Sequence, residues 1–509
     1  MKKSIIIGEK NLTIEEIVAA TQKKCDVELS QNPAFIQKIE DGANFLDKVL
    51  KEYGGIYGVT TGYGDSCTQT LTPNHYSDLP VHLSRYHGCG LGEFFDLETT
   101  RAIILVRLNT LAQGFSGVSY ELLQRLTLLL KHDILPLIPQ EGSVGASGDL
   151  TPLSYVAGTL IGEREVIYKG EKREAKDVLN ELNIPIYRFR PKEAIAIMNG
   201  TAVMNAIAIL AYHRAEYLSN LACRITSMMV IALKGNHYHY FKRLFEAKPH
   251  PGLMLAAEKI SNDLITVSTE KIVPEKIQDA YSLRCAPHVI SMFYEAAPLL
   301  RQMIEIEMNS ANDNPIVDPQ TQSIYHGGHF YGGHICFAMD SLKNIIANTA
   351  ELLDRQLAMV VDIKFNRGLP ANLTGSGDKI AYNHGFKAIQ IAVSAWTAEA
   401  LHLTMPMSVF SRSTECHNQD KVSMGTIAAR DCIRIIELAE QVTVATLFAV
   451  TQAIRLRLAQ NEISKESLIK VQKTIDQTDT VSPFLLEDRI MDKELRQGLK
   501  LIREKFWEC

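Results

Sequence analysis

No run in the 509-residue sequence approaches the ~20 apolar residues of a membrane span. Lys2 and Lys3 open the chain, but the apolar run Ile5-Ile6-Ile7 stops at Gly8-Glu9-Lys10, too short for a signal-peptide core. The nine cysteines are scattered, with no CxxC pair and no metal-like spacing. That pattern fits a reducing compartment better than a disulfide framework, and it supplies no metal site. A basic patch or stripe is also missing, and the net charge is −5, so nothing suggests a nucleic-acid footprint. There is no low-complexity linker and no clear repeat. These absences predict a soluble cytoplasmic protein without nucleic-acid or membrane partners. What is present is a chain 46% hydrophobic, enough for a large core, whose length suggests about three domains.

Residues 4–7 read as a short strand, and Leu12 to Val27 and Pro33 to Tyr53 as helices. Thr99 to Gln113 is strongly apolar and reads as a buried helix. Leu122, Leu123, Leu126, Leu129 and Leu130 keep helical spacing, and Pro136 and Pro139 end that helix. Gly162 to Glu174 reads as a small β-hairpin around Lys169-Gly170. From Gly333 onward long helices dominate. Ile335, Met339, Leu342, Ile346, Thr349 and Leu353 alternate by four and three, a coiled-coil-like seam. Residues 376–404 and 422–460 read similarly, and 463–509 are charged and helical.

The stretch Gly142-Ser143-Val144-Gly145-Ala146-Ser147-Gly148-Asp149-Leu150 carries the most chemistry. At Ala146-Ser147-Gly148 a backbone can condense on itself. The Gly148 amide nitrogen attacks the Ala146 carbonyl carbon and closes a five-membered ring. Glycine suits the attack because it has no Cβ in the way and tolerates unusual φ/ψ. Ser147 can then lose water and leave an exocyclic methylene, an electrophile that no ordinary side chain supplies. Thr151-Pro152 follows, a capping residue before a proline suited to a first helical turn. Such a helix would aim its positive end at the ring. Taken alone, the same residues also read as an ordinary loop or an anion-binding turn.

Further polar stretches carry second readings of their own. Tyr57 lies in Ile56-Tyr57-Gly58-Val59-Thr60-Thr61-Gly62-Tyr63-Gly64, where it reads as an aromatic anchor beside glycines. His87, in Arg85-Tyr86-His87-Gly88, reads as a turn residue. Asn199-Gly200 breaks an apolar segment and reads as a turn. Gln278, Tyr281 and Arg284 are spaced so that one helical turn could present them together, or they form a solvated polar face. Ser310 to Pro315, His326 to Phe330 and His417 to Met424 are polar interruptions in the helical pattern.

Together these stretches resemble the signatures of the histidine, phenylalanine and tyrosine ammonia-lyases. Six separated motifs, in family order and at comparable spacing, cover roughly residues 50–430. The resemblance implies an all-α fold of the ammonia-lyase (fumarase/aspartase-like) superfamily, with a central bundle of long helices. It implies domains at 1–190, carrying the ring-forming loop, 191–465, the long-helix bundle and tetramer core, and 466–509. It also implies a homotetramer whose active sites draw on three subunits, and a small aromatic amino acid as the molecule bound. The prosthetic group would be 4-methylidene-imidazol-5-one (MIO), made from Ala146-Ser147-Gly148, with no metal or soluble cofactor. Tyr57 would take the substrate's β-proton, and Tyr281 would assist at the amine or the ring. Arg284 and Asn199 would hold the carboxylate. Gln278, Phe330, Asn418 and Gln419 would complete the binding site, and Tyr86 and His87 would stand at the selectivity position. His329 departs from the family's Gly-Gly-Asn-Phe.

The resemblance orders the substrates as well. Histidine lyases share His87 but carry a glutamate where Gln419 stands. Phenylalanine enzymes usually carry an apolar pair at positions 86 and 87. His87 with the neutral Gln419 therefore points to tyrosine, giving 4-coumarate. Histidine ammonia-lyase, phenylalanine ammonia-lyase and tyrosine 2,3-aminomutase remain alternatives. A catalytically dead helical scaffold and a Ser147 hydrolase are the readings from other classes. The residues around Ser147 do not fit Gly-x-Ser-x-Gly.

Overall fold

A computed structural model describes residues 4–52, 56–69, 78–264, 277–377 and 381–509. The chain is predominantly helical, with long helices at Ala202–Ala232, Ala286–Met308, Gly333–Val361 and Gly425–Ala459. It divides into two compact units. The first comprises Met1–His213, Arg301–Asp340 and Pro406–Arg430; the second comprises Arg214–Leu300, Ser341–Met405 and Asp431–Cys509. This differs from the three consecutive segments 1–190, 191–465 and 466–509. An α-helix rises about 1.5 Å per residue, so long helices carry consecutive stretches far apart, and compact units must be assembled from separated ones.

In the first unit the helix Leu97–Leu111 is the core. Residues Ala102 to Leu111 are buried on every side, as a helix apolar all round should be. Its N-cap Asp96 accepts from the Thr99 amide, and it packs against Ile14–Thr21 and Tyr120–His132. The helix expected over Leu12–Val27 is shorter, running Ile14–Thr21 from a capping box of Thr13 and Glu16. The chain turns at Lys23, with φ of 57°, into the strand Asp26–Leu29, which pairs in parallel with Ser4–Ile7. Val27 thus belongs to the strand. The hairpin is present as Glu165–Tyr168 against Glu171–Glu174. Lys169 and Gly170 both have positive φ, as a two-residue type I′ turn demands. The expected helix 33–53 is Pro33–Glu52, and Tyr53 lies outside the described residues.

The seam residues Ile335, Met339, Leu342, Ile346, Thr349 and Leu353 are all buried. The expected helix 376–404 is confined to Lys387–His402, and residues 378–380 lie outside those described. In the second unit the final stretch is packed rather than merely charged. Trp507 is buried, its Nε1 donates to Thr478 Oγ1 at 3.1 Å, and its carbonyl accepts from the Tyr217 hydroxyl at 2.8 Å. Gly498 lets the helix Asp492–Arg503 lie against Val444 and Phe448, where a Cβ would collide. Among the described residues no helix is long and apolar enough to cross a membrane.

Candidate active site

The loop from Gly142 to Asp149 is tied on three sides. Asp149 is fully buried, and Oδ2 accepts from the backbone amides of Val203 and Met204 at 3.0 and 2.9 Å. Those amides open the helix Ala202–Ala232, where orphan N–H groups and the helix dipole favour an anion. Oδ1 accepts from Ser143 Oγ at 3.1 Å and from Thr426 Oγ1. Burial pushes the Asp149 carboxyl above its ordinary value, and these hydrogen bonds pull it back down. Asp149 also stands at the N-cap position of the following helix, Leu150–Leu160, without a side-chain capping bond, so Thr151 and Pro152 lie inside its first turn rather than before it. The loop's other anchors are Gly200, whose carbonyl accepts from the Asp149 amide at 2.8 Å, and Ser423-Met424. The amides of those two donate to Gly145 and Val144 at 3.3 and 3.0 Å. Gly148 has φ of 67° and faces Gly200 so closely that any Cβ would strike its carbonyl.

Ala146 and Ser147 face a cavity of about 1250 Å³ within the first unit. The tripeptide Ala146-Ser147-Gly148 is thus held at its glycine and open at its alanine and serine. Tyr57, Tyr63, Tyr86 and His87 line the cavity, as do Asn199, Phe330, Asn418 and Gln419. The Tyr57 hydroxyl accepts from the Gly64 amide at 2.9 Å. Burial pushes the His87 imidazole down to about 4, so it is neutral at pH 7. Tyr86 stacks on His87 with ring centroids 4.5 Å apart. Its hydroxyl is pushed up by loss of solvent, then by Tyr57 and Glu415. Gln419 Nε2 donates to Ser147 Oγ at 3.2 Å, and its Oε1 accepts from Thr414 Oγ1 at 2.9 Å.

Asn199 closes the helix Glu193–Met198 and stands on a buried polar network. Its Nδ2 donates to the Asn314 carbonyl at 2.9 Å and lies 3.4 Å from Asp313 Oδ1. Both neighbours are acceptors, which fixes the amide with Oδ1 turned away from them. That Oδ1 is buried and has no hydrogen-bond partner among the described residues. Lys192 Nζ and Asp313 Oδ2 are 2.6 Å apart in a fully buried pair beneath it. Arg107, also buried, donates to the carbonyls of Ala196, Asn199 and Asn312. Neither Arg107 nor Lys192 stood out in sequence, and Asp313 did so only as part of the polar block Ser310 to Pro315. A charged residue inside an apolar run, as Arg107 is, was the available signal, since such a charge must be paired when buried.

Gln278, Tyr281 and Arg284 belong to the second unit and are not among the residues lining this cavity. The helical turn expected to hold all three covers only Tyr281–Arg284, and Gln278 precedes it in a bend. The Arg284 guanidinium stacks on the Tyr281 ring at 4.5 Å, and its Nε donates to the Asp279 carbonyl at 3.1 Å. Asp279 interrupts the turn because its carboxylate is committed elsewhere, to the Asn236 amide and to Arg367, each at 2.6 Å. His329 is exposed, and nothing in the structure explains its presence.

Sequence reading missed Glu415, which also lines the cavity. Both its carboxylate oxygens accept from the Asp65 amide, at 3.0 and 2.9 Å. Its partners lie 350 residues away, beyond the reach of local pattern.

The family model for aromatic amino acid lyases matches residues 12–477. The chain is 31% identical over 512 residues to a histidine ammonia-lyase of Staphylococcus aureus, covering 99% of each. Among solved structures it resembles the tyrosine aminomutase from Streptomyces globisporus, with a TM-score of 0.89 and 29% identity, covering 99% of this chain and 97% of that one. It also resembles the phenylalanine aminomutase of Pantoea agglomerans, with a TM-score of 0.91 and 27% identity, covering 98% and 99%.

Asp149→Ala should strand two helix-opening amides and two hydroxyls. We expect it to destabilise the protein by about 3 kcal/mol, read from the urea midpoint. A loss under about 1 kcal/mol would mean that Asp149 is not the anchor of the loop.

Proposed function

The chain belongs to the aromatic amino acid lyases, a family of carbon–nitrogen lyases, and from that premise we propose that it eliminates ammonia from L-tyrosine to give 4-coumarate. The observation that carries this reading is the neutral His87 lining a cavity that also holds Ala146, Ser147 and Tyr57.

The residues fit an MIO group. Gly148 has the positive φ and crowding that only glycine accepts, and Ala146 and Ser147 face the cavity. Once formed from the tripeptide, MIO supplies an electrophile that makes the amine a better leaving group. The chain's own residues do the rest. Tyr57, held by the Gly64 amide, takes the β-proton. Asn199 lines the same cavity and helps to hold the substrate's carboxylate, the role that the resemblance assigns. Arg284 pairs with the carboxylate, where a guanidinium fork fits two oxygens. Tyr281 and Gln278 act beside it. Gln419 holds the Ser147 hydroxyl before it leaves as water and then lines the site, and Phe330 and Asn418 complete the wall. His87 meets the phenol hydroxyl as an uncharged partner. Gln419 gives an imidazolium no charge partner, and a bare phenyl ring would leave His87 unpaired.

Histidine is the second reading. A curated relative is a histidine ammonia-lyase, and the Glu415 carboxylate lines the same cavity. An aminomutase would use the same residues to begin; release of free ammonia and a UV-absorbing acrylate marks the lyase.

Three outcomes are expected. The intact mass should fall short of the encoded chain by two waters, and Ser147→Ala should keep one of them and lose most activity. A mass equal to the unmodified chain would leave the inactive scaffold as the better reading. Among tyrosine, histidine and phenylalanine, kcat/KM should be highest for tyrosine. His87→Phe should lower it for tyrosine about tenfold while favouring phenylalanine. Efficient conversion of histidine to urocanate would overturn the substrate. Finally, light scattering at micromolar concentration should give a homotetramer, with Gln278, Tyr281 and Arg284 serving sites shared between copies. An active monomer would contradict it.

A further inference from the structure

The amides of Gly64 and Asp65 are consecutive, and each holds one acidic oxygen group at the cavity. Gly64 N–H donates to the Tyr57 hydroxyl at 2.9 Å, and Asp65 N–H donates to both oxygens of Glu415. Glu415 also packs on the Gly64 backbone, where any Cβ would collide with its carboxylate. The phenol and the carboxylate are therefore held side by side by the first two amides of one short turn, Gly64–Thr68. A rigid loop delivers Glu415 there. Thr414 and Gln419 exchange backbone hydrogen bonds at 3.0 and 3.2 Å. Between them Glu415, Cys416 and His417 all have positive φ, of 51°, 51° and 65°. Three such residues in a row are strained and persist only where the surroundings enforce them.

We propose that Glu415 is a positioning residue of the elimination, whose carboxylate sets the pH at which Tyr57 is free to take a proton. The inference rests on the proposed role of Tyr57 as base. Before turnover the Tyr57 O–H loses its proton to solvent. In turnover the phenolate oxygen forms a new O–H bond as the substrate's Cβ–H bond breaks, and the electron pair left at Cβ forms the double bond as the amine departs. A fixed negative charge beside the phenol opposes the first of these events and so holds the base in reserve until higher pH. The other titratable groups lining the cavity are Tyr63, Tyr86, His87, His326, Asp420 and Lys421. Of these, Asp420 acts in the same direction as Glu415, Lys421 acts against it, and His87 is neutral near pH 7.

The test is the pH profile of kcat/KM for L-tyrosine in Glu415→Gln and Glu415→Ala, which remove the charge, and in Glu415→Asp, which keeps it. The neutral variants should move the acid limb to lower pH by roughly one unit, with roughly tenfold more of the base available below the wild-type limb. The Asp variant should keep the limb in place. Tyrosinate absorbance, taken as the difference between each protein and its Tyr57→Phe counterpart, should move by the same amount and does not depend on turnover. A limb and a phenol titration that stay put in both neutral variants, with or without loss of rate, would overturn the proposal. So would a rise in KM for histidine alone, which would make Glu415 a substrate contact. Failure of the base reading is distinct: Tyr57→Phe would then keep the wild-type rate and profile whatever Glu415 does.

Discussion

The site depends on one buried carboxylate. Asp149 ties the end of the Gly142–Asp149 loop to the first amides of the helix Ala202–Ala232 and, through Thr426, to the start of Gly425–Ala459. A buried charge is tolerated only where its lone pairs are met, and here two amides and two hydroxyls meet them. The consequence is directional. The carboxylate pins the glycine end of the tripeptide against Gly200, while Ala146 and Ser147 stay at the cavity. The proposed cyclisation needs this division, since the attacking amide has to be held close and the serine has to stay accessible.

Behind the loop, a second layer of buried charge holds the break at Asn199-Gly200. The Arg107 guanidinium takes the carbonyls that the helix Glu193–Met198 leaves unpaired at its end, including those of Ala196 and Asn199. Burial lowers its affinity for a proton, to about 10, yet leaves it charged at pH 7, and Asp313 opposes that shift. Asp313, paired with Lys192, and the Asn314 carbonyl take the Asn199 Nδ2, while its Oδ1 stays buried. The apolar segment around Asn199-Gly200 therefore breaks where polar partners, not turn propensity alone, make a break stable.

Much of this was legible in sequence, for physical reasons that also mark the limits. The hairpin was readable because Lys169-Gly170 sits between two extended runs, and both residues take the positive φ such a turn needs. The helix Leu97–Leu111 was readable from its continuous apolar character. The Leu12–Val27 reading overran because Val27 and Leu29 continue an apolar pattern after a turn at Lys23 has changed its period. The nonapeptide with Tyr57, His87, Asn199 and Gln419 identified the cavity because those motifs are local. Asp149 as an anchor was not legible, since Val203, Met204 and Thr426 reach it from far along the chain. Glu415 was hidden for the same reason, being one more charged residue in a polar stretch until Gly64 and Asp65 fold against it.

The Thr414–Gln419 loop shows how strain and function meet here. Side chains with a Cβ avoid positive φ, yet Glu415, Cys416 and His417 adopt it in succession. The conformation is over-determined. Thr414 binds Gln419 through backbone and side chain, Ser413 Oγ and His417 Nδ1 are 2.7 Å apart, and the Asp65 amide holds Glu415. A relaxed loop of this length would present its side chains in many directions. This one presents Gln419 to Ser147 and Glu415 to the turn that holds Tyr57. Ser147 and the turn that holds Tyr57 are thereby both tied to one six-residue element. Its strain is offset by the contacts it makes there, which is the arrangement expected when backbone geometry serves a site rather than the stability of the fold.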